Sequence, residues 1–240
     1  MDNYIKETIF KDYQKRYQDI VLLNENIKNL KISKKPYLIE FLGSCRSGKS
    51  TSIELIADVF RKNGFKVLLV DEEKVKETKK VNENRNQKMS VDSLNYTQRV
   101  IEEKFFLYDN FTQEDYDIII FDRGINDEFI WLKTFGAESK EIEDYHQRLD
   151  YRYVDMLLIL TCDIEISLKR KYLNSLSIMV NKWTNQETMQ KYLDSLDEVF
   201  PYLEHHAKKI AQFDSSNVDK VDVALDLCNK IVENISNEEQ

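Results

Sequence analysis

Gly43-Ser44-Cys45-Arg46-Ser47-Gly48-Lys49-Ser50 fits the pattern GxxxxGK[ST] at every fixed position. Before it stands a short, mostly apolar run, Tyr37-Leu38-Ile39-Glu40-Phe41-Leu42, that reads as a strand. After it, Thr51 to Arg61 reads as a helix, with Ile53, Ile56, Ala57 and Phe60 on one face. Strand, loop and helix are the setting in which this turn cradles phosphate. Glycines let the backbone curl so that its N–H groups converge on phosphate oxygens, and the helix N-terminus adds partial positive charge. Gly43, Ser44, Cys45, Arg46, Ser47, Gly48, Lys49, Ser50 and Thr51 are therefore candidate nucleotide-binding residues. Lys49 would reach the β- and γ-phosphates, and the Ser50 hydroxyl would hold Mg²⁺. A coincidental turn is the competing reading, and it is disfavoured in a chain with five glycines.

Upstream, Ile9, Tyr13, Tyr17, Ile20, Leu23, Ile27 and Leu30 recur at three- and four-residue spacings and predict one amphipathic helix over 4–30. It would pack on the domain or on a second subunit, so a homodimer is one arrangement, or it would serve as a partner-binding arm. Downstream, Asn63-Gly64 predicts a left-handed helix end. A buried-type strand over 65–70 follows and closes a right-handed βαβ unit. That strand runs into Asp71-Glu72-Glu73, where ligands of open α/β sheets bind; substrate contact and a solvated charge cluster are both open there. Residues 74–90 are polar and poor in apolar anchors, with Arg85 and Lys88 as cations that could meet an anionic substrate. A helix over 91–109 has Leu94, Thr97, Val100, Ile101, Phe105 and Tyr108 as its packing stripe, and Asn95, Gln98 and Arg99 could read a nucleobase edge.

The second strong element is Ile118-Ile119-Ile120-Phe121, a continuous apolar strand that ends in Asp122-Arg123-Gly124. A carboxylate at the tip of a strand beside the loop strand can orient Mg²⁺, its water or an acceptor hydroxyl, and Arg123 can reach a phosphate. The competing reading is a surface Asp–Arg pair. Further helices are expected at 125–134, 139–154 and 163–172, strands at 156–161 and 209–213, and a last helix at 218–234 with a frayed tail. Polar residues interrupt two helices at 172–185, the outline of a lid, with Arg170, Lys171 and Lys182 as its nearby cations. The chain divides into a helical extension, 1–35, and one P-loop domain, 36–240.

Composition narrows the class. A net charge of −8 argues against broad nucleic-acid or anionic-membrane binding, and no 18-residue apolar run predicts a transmembrane helix. Three dispersed cysteines without CxxC spacing suit a reduced, cytoplasmic protein, and the histidines His146, His205 and His206 lack zinc spacing. Asn181-Lys182-Trp183-Thr184 lacks the final Asp of the guanine-reading pattern, which disfavours a GTPase.

The ordered set GSCRSGKS, the strand ending in Asp122-Arg123-Gly124, the helix Asp163 to Arg170 and the late YLDSLDEVFPYL resembles the P-loop nucleoside and nucleotide kinases, closest to the deoxynucleoside kinase and thymidylate kinase group. The resemblance implies a three-layer α/β/α fold with a five-stranded parallel sheet of order 2-3-1-4-5, and Mg·ATP as phosphoryl donor to a small-molecule acceptor. It also implies roles for residues. Lys49 and Ser50 match the phosphate and magnesium ligands, and Asp122-Arg123 matches the acidic-Arg pair after the third strand. Arg46 stands where some thymidylate kinases keep a catalytic arginine, Glu72 near a general base, and Arg170 where an arginine packs over adenine or contacts phosphate. Gly124 departs from the usual Ser, Tyr or His. The expected activity is transfer to a nucleoside or nucleoside monophosphate. A kinase for another small-molecule alcohol and a non-catalytic ATP-binding regulator are the alternatives.

Overall fold

The computed structural model describes residues 2–32, 36–70, 97, 100–102, 104–105, 108, 115–148, 154–174 and 185–238, and for 2–13, 148 and 171–174 the backbone only. In chain order the elements are α1 (Asp2–Lys28), β1 (Tyr37–Gly43), α2 (Lys49–Lys62), β2 (Val67–Val70), β3 (Ile118–Asp122), α3 (Ile125–Thr134), α4 (Ser139–Arg148), β4 (Val154–Thr161), α5 (Ile164–Asn174), α6 (Gln186–Leu203), β5 (Ala207–Asp214) and α7 (Lys220–Glu238). Between β2 and β3 the described residues 97, 100–102, 104–105 and 108 are helical. The expected lid over 172–185, apart from its helical start and from Asn185, lies outside the described residues, as do Glu72, Arg85, Lys88, Asn95, Gln98 and Arg99.

All five strands are parallel, in the order β2-β3-β1-β4-β5. The β-branched and aliphatic runs of β1, β3 and β4 are buried on both faces, so alternate residues feed two cores. Leu38, Leu42, Ile119, Phe121, Leu157 and Ile159 face the layer of α3, α6 and the 97–108 helical residues. Tyr37, Ile39, Phe41, Ile118, Ile120, Met156 and Leu158 face α2, α7 and the end of α1. The result is the three-layer α/β/α fold. Among the described residues no helix is long and apolar enough to cross a membrane.

Element ends differ from the sequence expectation for local reasons. β2 starts at Val67, not Phe65: Phe65 packs edge-on against Phe60 at 5.7 Å and its N–H donates to the Phe60 carbonyl, so it belongs to the end of α2. β4 starts at Val154, inside the helix expected over 139–154, because Val154 pairs with Ala207 and its N–H donates to the His206 carbonyl. The C-terminal helix continues to Glu238 rather than fraying from 233, because Ile235 is buried and Glu238 pairs with Lys208. Of the α1 stripe, Leu23 and Ile27 are buried while Tyr17 and Ile20 are exposed. His146 and His206 stack at 4.4 Å near the start of β5, and burial, then the neighbouring His206, lowers His146 to about 3.

Candidate active site at the carboxyl ends of the strands

β1 delivers Gly43 to the tip of the sheet. A Cβ there would lie 1.8 Å from the Leu160 carbonyl oxygen, and φ is +135°, so the loop can leave β1 only through glycine. The Gly43 N–H donates to the Tyr192 hydroxyl at 3.1 Å, and Ser44 N–H to the Leu160 carbonyl at 3.1 Å. Gly48, at φ 93°, caps α2 without a side-chain hydrogen bond, which leaves the first-turn N–H groups directed into the loop. Lys49 opens α2 and lies back across the loop, its Nζ donating to the carbonyls of Gly43 at 2.7 Å and Ser44 at 2.8 Å. Burial, then the charge of Arg123, pushes Lys49 down to about 8 against the pull of Asp127 and Asp122.

Two non-glycine residues take left-handed backbone among those described, Arg46 at φ 61° and Arg123 at φ 63°. Both stand at the site, where such conformations concentrate. Arg46 Nη1 is buried with no hydrogen-bond partner among the described residues, a donor suited to an anion. Arg123 follows the tip of β3 and is fixed through its N–H to the Phe41 carbonyl at 2.9 Å. Its guanidinium lies 3.5 Å from Asp127 Oδ2, 3.7 Å from Cys45 Sγ and 5.9 Å over the Trp131 ring.

Asp122 pairs in register with Phe41 and meets the start of α2, where Ser50 Oγ donates to Asp122 Oδ2 at 2.8 Å. Asp122 Oδ1 is buried without a partner among the described residues. A hydroxyl beside a carboxylate with one uncommitted oxygen is a hard-donor set, and it fits Mg²⁺. Among the described residues no group of three or more His, Cys, Asp or Glu could hold a metal alone. Mg²⁺ held here would take its other ligands from phosphate and water, as is usual for that ion.

Beside Asp122, a cleft between the tips of β2 and β3 is lined by Val70, Lys104, Tyr108, Phe121, Arg123 and Gly124. Its apolar wall is Tyr108 stacked on Phe121 at 4.0 Å. Its cation Lys104 is tied to the Arg123 carbonyl, to the Gly124 carbonyl at 3.1 Å and to Glu128. On the other side of the loop, Arg170 Nη1 donates to the Arg46 carbonyl at 3.0 Å and to Ser215 Oγ at 3.2 Å, and Nη2 to the Ser215 carbonyl at 2.6 Å. Ser215 in turn donates to the Ser47 carbonyl at 2.7 Å. The structure thus brings Arg46, Lys49, Ser50, Asp122, Arg123 and Arg170 around one loop.

Four residues in this frame carry no role in the sequence reading. Asp127, fully buried, accepts from the Tyr192 hydroxyl, from Trp131 Nε1 at 3.1 Å and from Arg123. Lys104, Ser215 and Glu40 are the others. Spacing offers a signal for two of them: Asp127 stands four residues after Arg123 on a predicted helix, and Ser215 follows the tip of a strand.

An AAA-domain family profile matches residues 38–192, from β1 through the first turns of α6. No curated protein matches the chain. Among solved structures, the thymidylate kinase of Ehrlichia chaffeensis is similar, with a TM-score of 0.58, 17% sequence identity, and coverage of 83% of this chain and 100% of that one. At that identity the likeness is one of fold.

Proposed function

The chain belongs to the AAA-domain family, and from that premise we propose that it is a Mg·ATP-dependent kinase of a small molecule, with a nucleoside or nucleoside monophosphate as acceptor. The observation that carries the reading is the meeting of Ser50 and Asp122 at 2.8 Å, beside a cleft that holds Arg123. In the proposed arrangement a single carboxylate, Asp122, serves both the ATP phosphates and the acceptor.

In this reading the loop N–H groups, Lys49 and Arg46 hold the triphosphate, and Arg123 faces the same anion from β3. Mg²⁺, held by Ser50 and Asp122, would supply charge neutralisation at the phosphates. The acceptor approaches from the β2–β3 side of Asp122, and its oxygen attacks the γ-phosphorus in line with the departing ADP oxygen. Arg170 braces the loop from the far side and keeps Arg46 in place. Glu72, two residues past Val70 at the end of β2, is the proposed proton acceptor for a hydroxyl substrate.

The test is a phosphoryl-transfer screen with Mg·ATP against common nucleosides, their monophosphates, sugars and amino alcohols. Transfer to a nucleoside or a monophosphate is the expected result. Transfer to a sugar or amino alcohol alone would replace the acceptor and keep the kinase. ATP binding without transfer to any of them would replace the kinase with an ATP-binding regulator. Glu72→Gln then separates the two acceptor types: with a nucleoside kcat falls about 10²–10⁴-fold, whereas with an already anionic monophosphate the effect is mild and Arg123→Ala is severe.

A further inference from the structure

Glu40 is a fully buried carboxylate in the middle of β1. Its strand neighbours Leu38 and Leu42 point into the same core, where an apolar residue is the rule. Three donors converge on it. Asn126 Nδ2 donates to Oε2 at 2.7 Å and the Tyr108 hydroxyl to Oε2 at 2.9 Å, while the Asp127 N–H donates to Oε1 at 3.2 Å. Asn126 and Asp127 belong to the first turn of α3, so the carboxylate also faces the positive end of that helix. Gly124 lies directly against it: a Cβ at 124 would fall 2.3 Å from Glu40 Cδ and 2.4 Å from Tyr108 Oη.

We infer that Glu40 is a positioning residue for the proposed transfer: its carboxylate fixes the start of α3 and, through Asp127, the placement of the Arg123 guanidinium beside the phosphate loop. The link is short. Glu40 holds the Asp127 main chain, and the Asp127 carboxylate holds Arg123 and Trp131. Its kinetic consequence rests on the transfer reading; its structural consequence does not.

The charge on Glu40 is what the three donors need. A protonated carboxyl turns one oxygen into a donor, so a proton on Oε2 competes with Tyr108 and Asn126 and a proton on Oε1 competes with the Asp127 N–H. Burial raises Glu40 to about 7, opposed by the hydrogen bonds from Asn126 and Tyr108 and by the charge of Lys104. The titratable groups facing it are Lys104 and Tyr108 from the 97–108 helical residues and Asp127 from α3, while its register partners Phe121 and Leu157 are apolar.

The experiment uses the full chain carrying Trp183→Phe, which leaves Trp131 as the single tryptophan. Trp131 emission should change with a midpoint near pH 7, Glu40→Gln should abolish that transition, and Tyr108→Phe should move it upward by removing a bond that favours the carboxylate. ADP formation from Mg·ATP, with a mixture of nucleosides and nucleoside monophosphates as acceptor, gives the kinetic arm. Glu40→Gln should lower kcat about 10- to 100-fold at pH 8 and about two- to ten-fold at pH 6, where roughly nine-tenths of the wild type is itself protonated, with KM for ATP little changed. An equal loss at both pH values, or a Trp131 transition that survives Glu40→Gln, overturns the inference. If Glu40→Gln does not fold, the Tyr108→Phe midpoint decides: an upward shift supports the inference and an unmoved midpoint overturns it. If no acceptor is phosphorylated, the transfer reading fails while the Trp131 titration still decides the role of Glu40.

Discussion

Lys49 and Gly124 show how much a single position carries. Lys49 is buried with its Nζ on two loop carbonyls, and its ammonium titrates near 8 in the free protein. Only the ammonium pairs with phosphate, so ATP affinity should hold below pH 8 and fall above it, by at most about ten-fold per pH unit. Without nucleotide the sign for stability is opposite: the folded pKa lies below that of an unfolded lysine, so stability rises with pH between about 8 and about 10.4. Lys49→Ala should lower ATP affinity about 10- to 100-fold, the worth of a charged hydrogen bond, with circular dichroism unchanged; calorimetry with wild-type affinity in the folded variant would refute the assignment. At Gly124 the prediction concerns packing. Ala there meets Glu40 and Tyr108 inside normal contact distance, so Gly124→Ala should cost about 1–3 kcal/mol in urea unfolding. The same contact explains why a Ser, Tyr or His has no room at this position.

At the scale of elements, what the sequence makes readable is what local spacing encodes. The loop motif, the apolar run of β3 and the stripe Ile53, Ile56, Ala57 and Phe60 of α2 each lie within one element, and all appear where the spacing puts them. Glu40 and Lys104 are not readable in this way, because their partners Asn126 and Glu128 stand 86 and 24 residues away and only the fold brings them together. Tyr192 is the same case. Its spacing on α6 says core, and it is buried, yet its hydroxyl accepts from the Gly43 N–H at 3.1 Å and donates to Asp127 65 residues away. Burial and the Asp127 charge keep that hydroxyl protonated far above neutral pH. Tyr192→Phe removes the hydroxyl, leaves the buried Gly43 N–H only its longer bond to Asp127 Oδ1 at 3.5 Å and leaves Asp127 short of a donor. It should cost about 1–3 kcal/mol and loosen the start of the phosphate loop, read as faster amide exchange at Gly43. Unchanged exchange and stability would mean that α6 only packs on the loop.

At the scale of the whole molecule, the open question of the sequence is whether the N-terminal helix is part of the domain or an arm. The structure joins its last turns to the core beneath the sheet: Leu23 and Ile27 are buried against the layer of Tyr37, Ile39, Phe60 and Ile231, and Arg16 pairs with Asp222 on α7. Tyr17, earlier on the stripe, is 62% exposed, and Leu22, beside the stripe, is 57% exposed. The prediction therefore has two halves. Leu23→Ala and Ile27→Ala each create a void in a close-packed layer and should cost about 2–5 kcal/mol, with ATP affinity unchanged because the phosphate loop lies at the other end of β1. Tyr17→Ser and Leu22→Ser remove little buried surface and should move stability by no more than about 0.5 kcal/mol. Urea unfolding of the four single variants checks both halves at once. Equal, small effects at all four positions would make the helix a detachable arm, and the boundary near residue 35 would then be the edge of the folded domain.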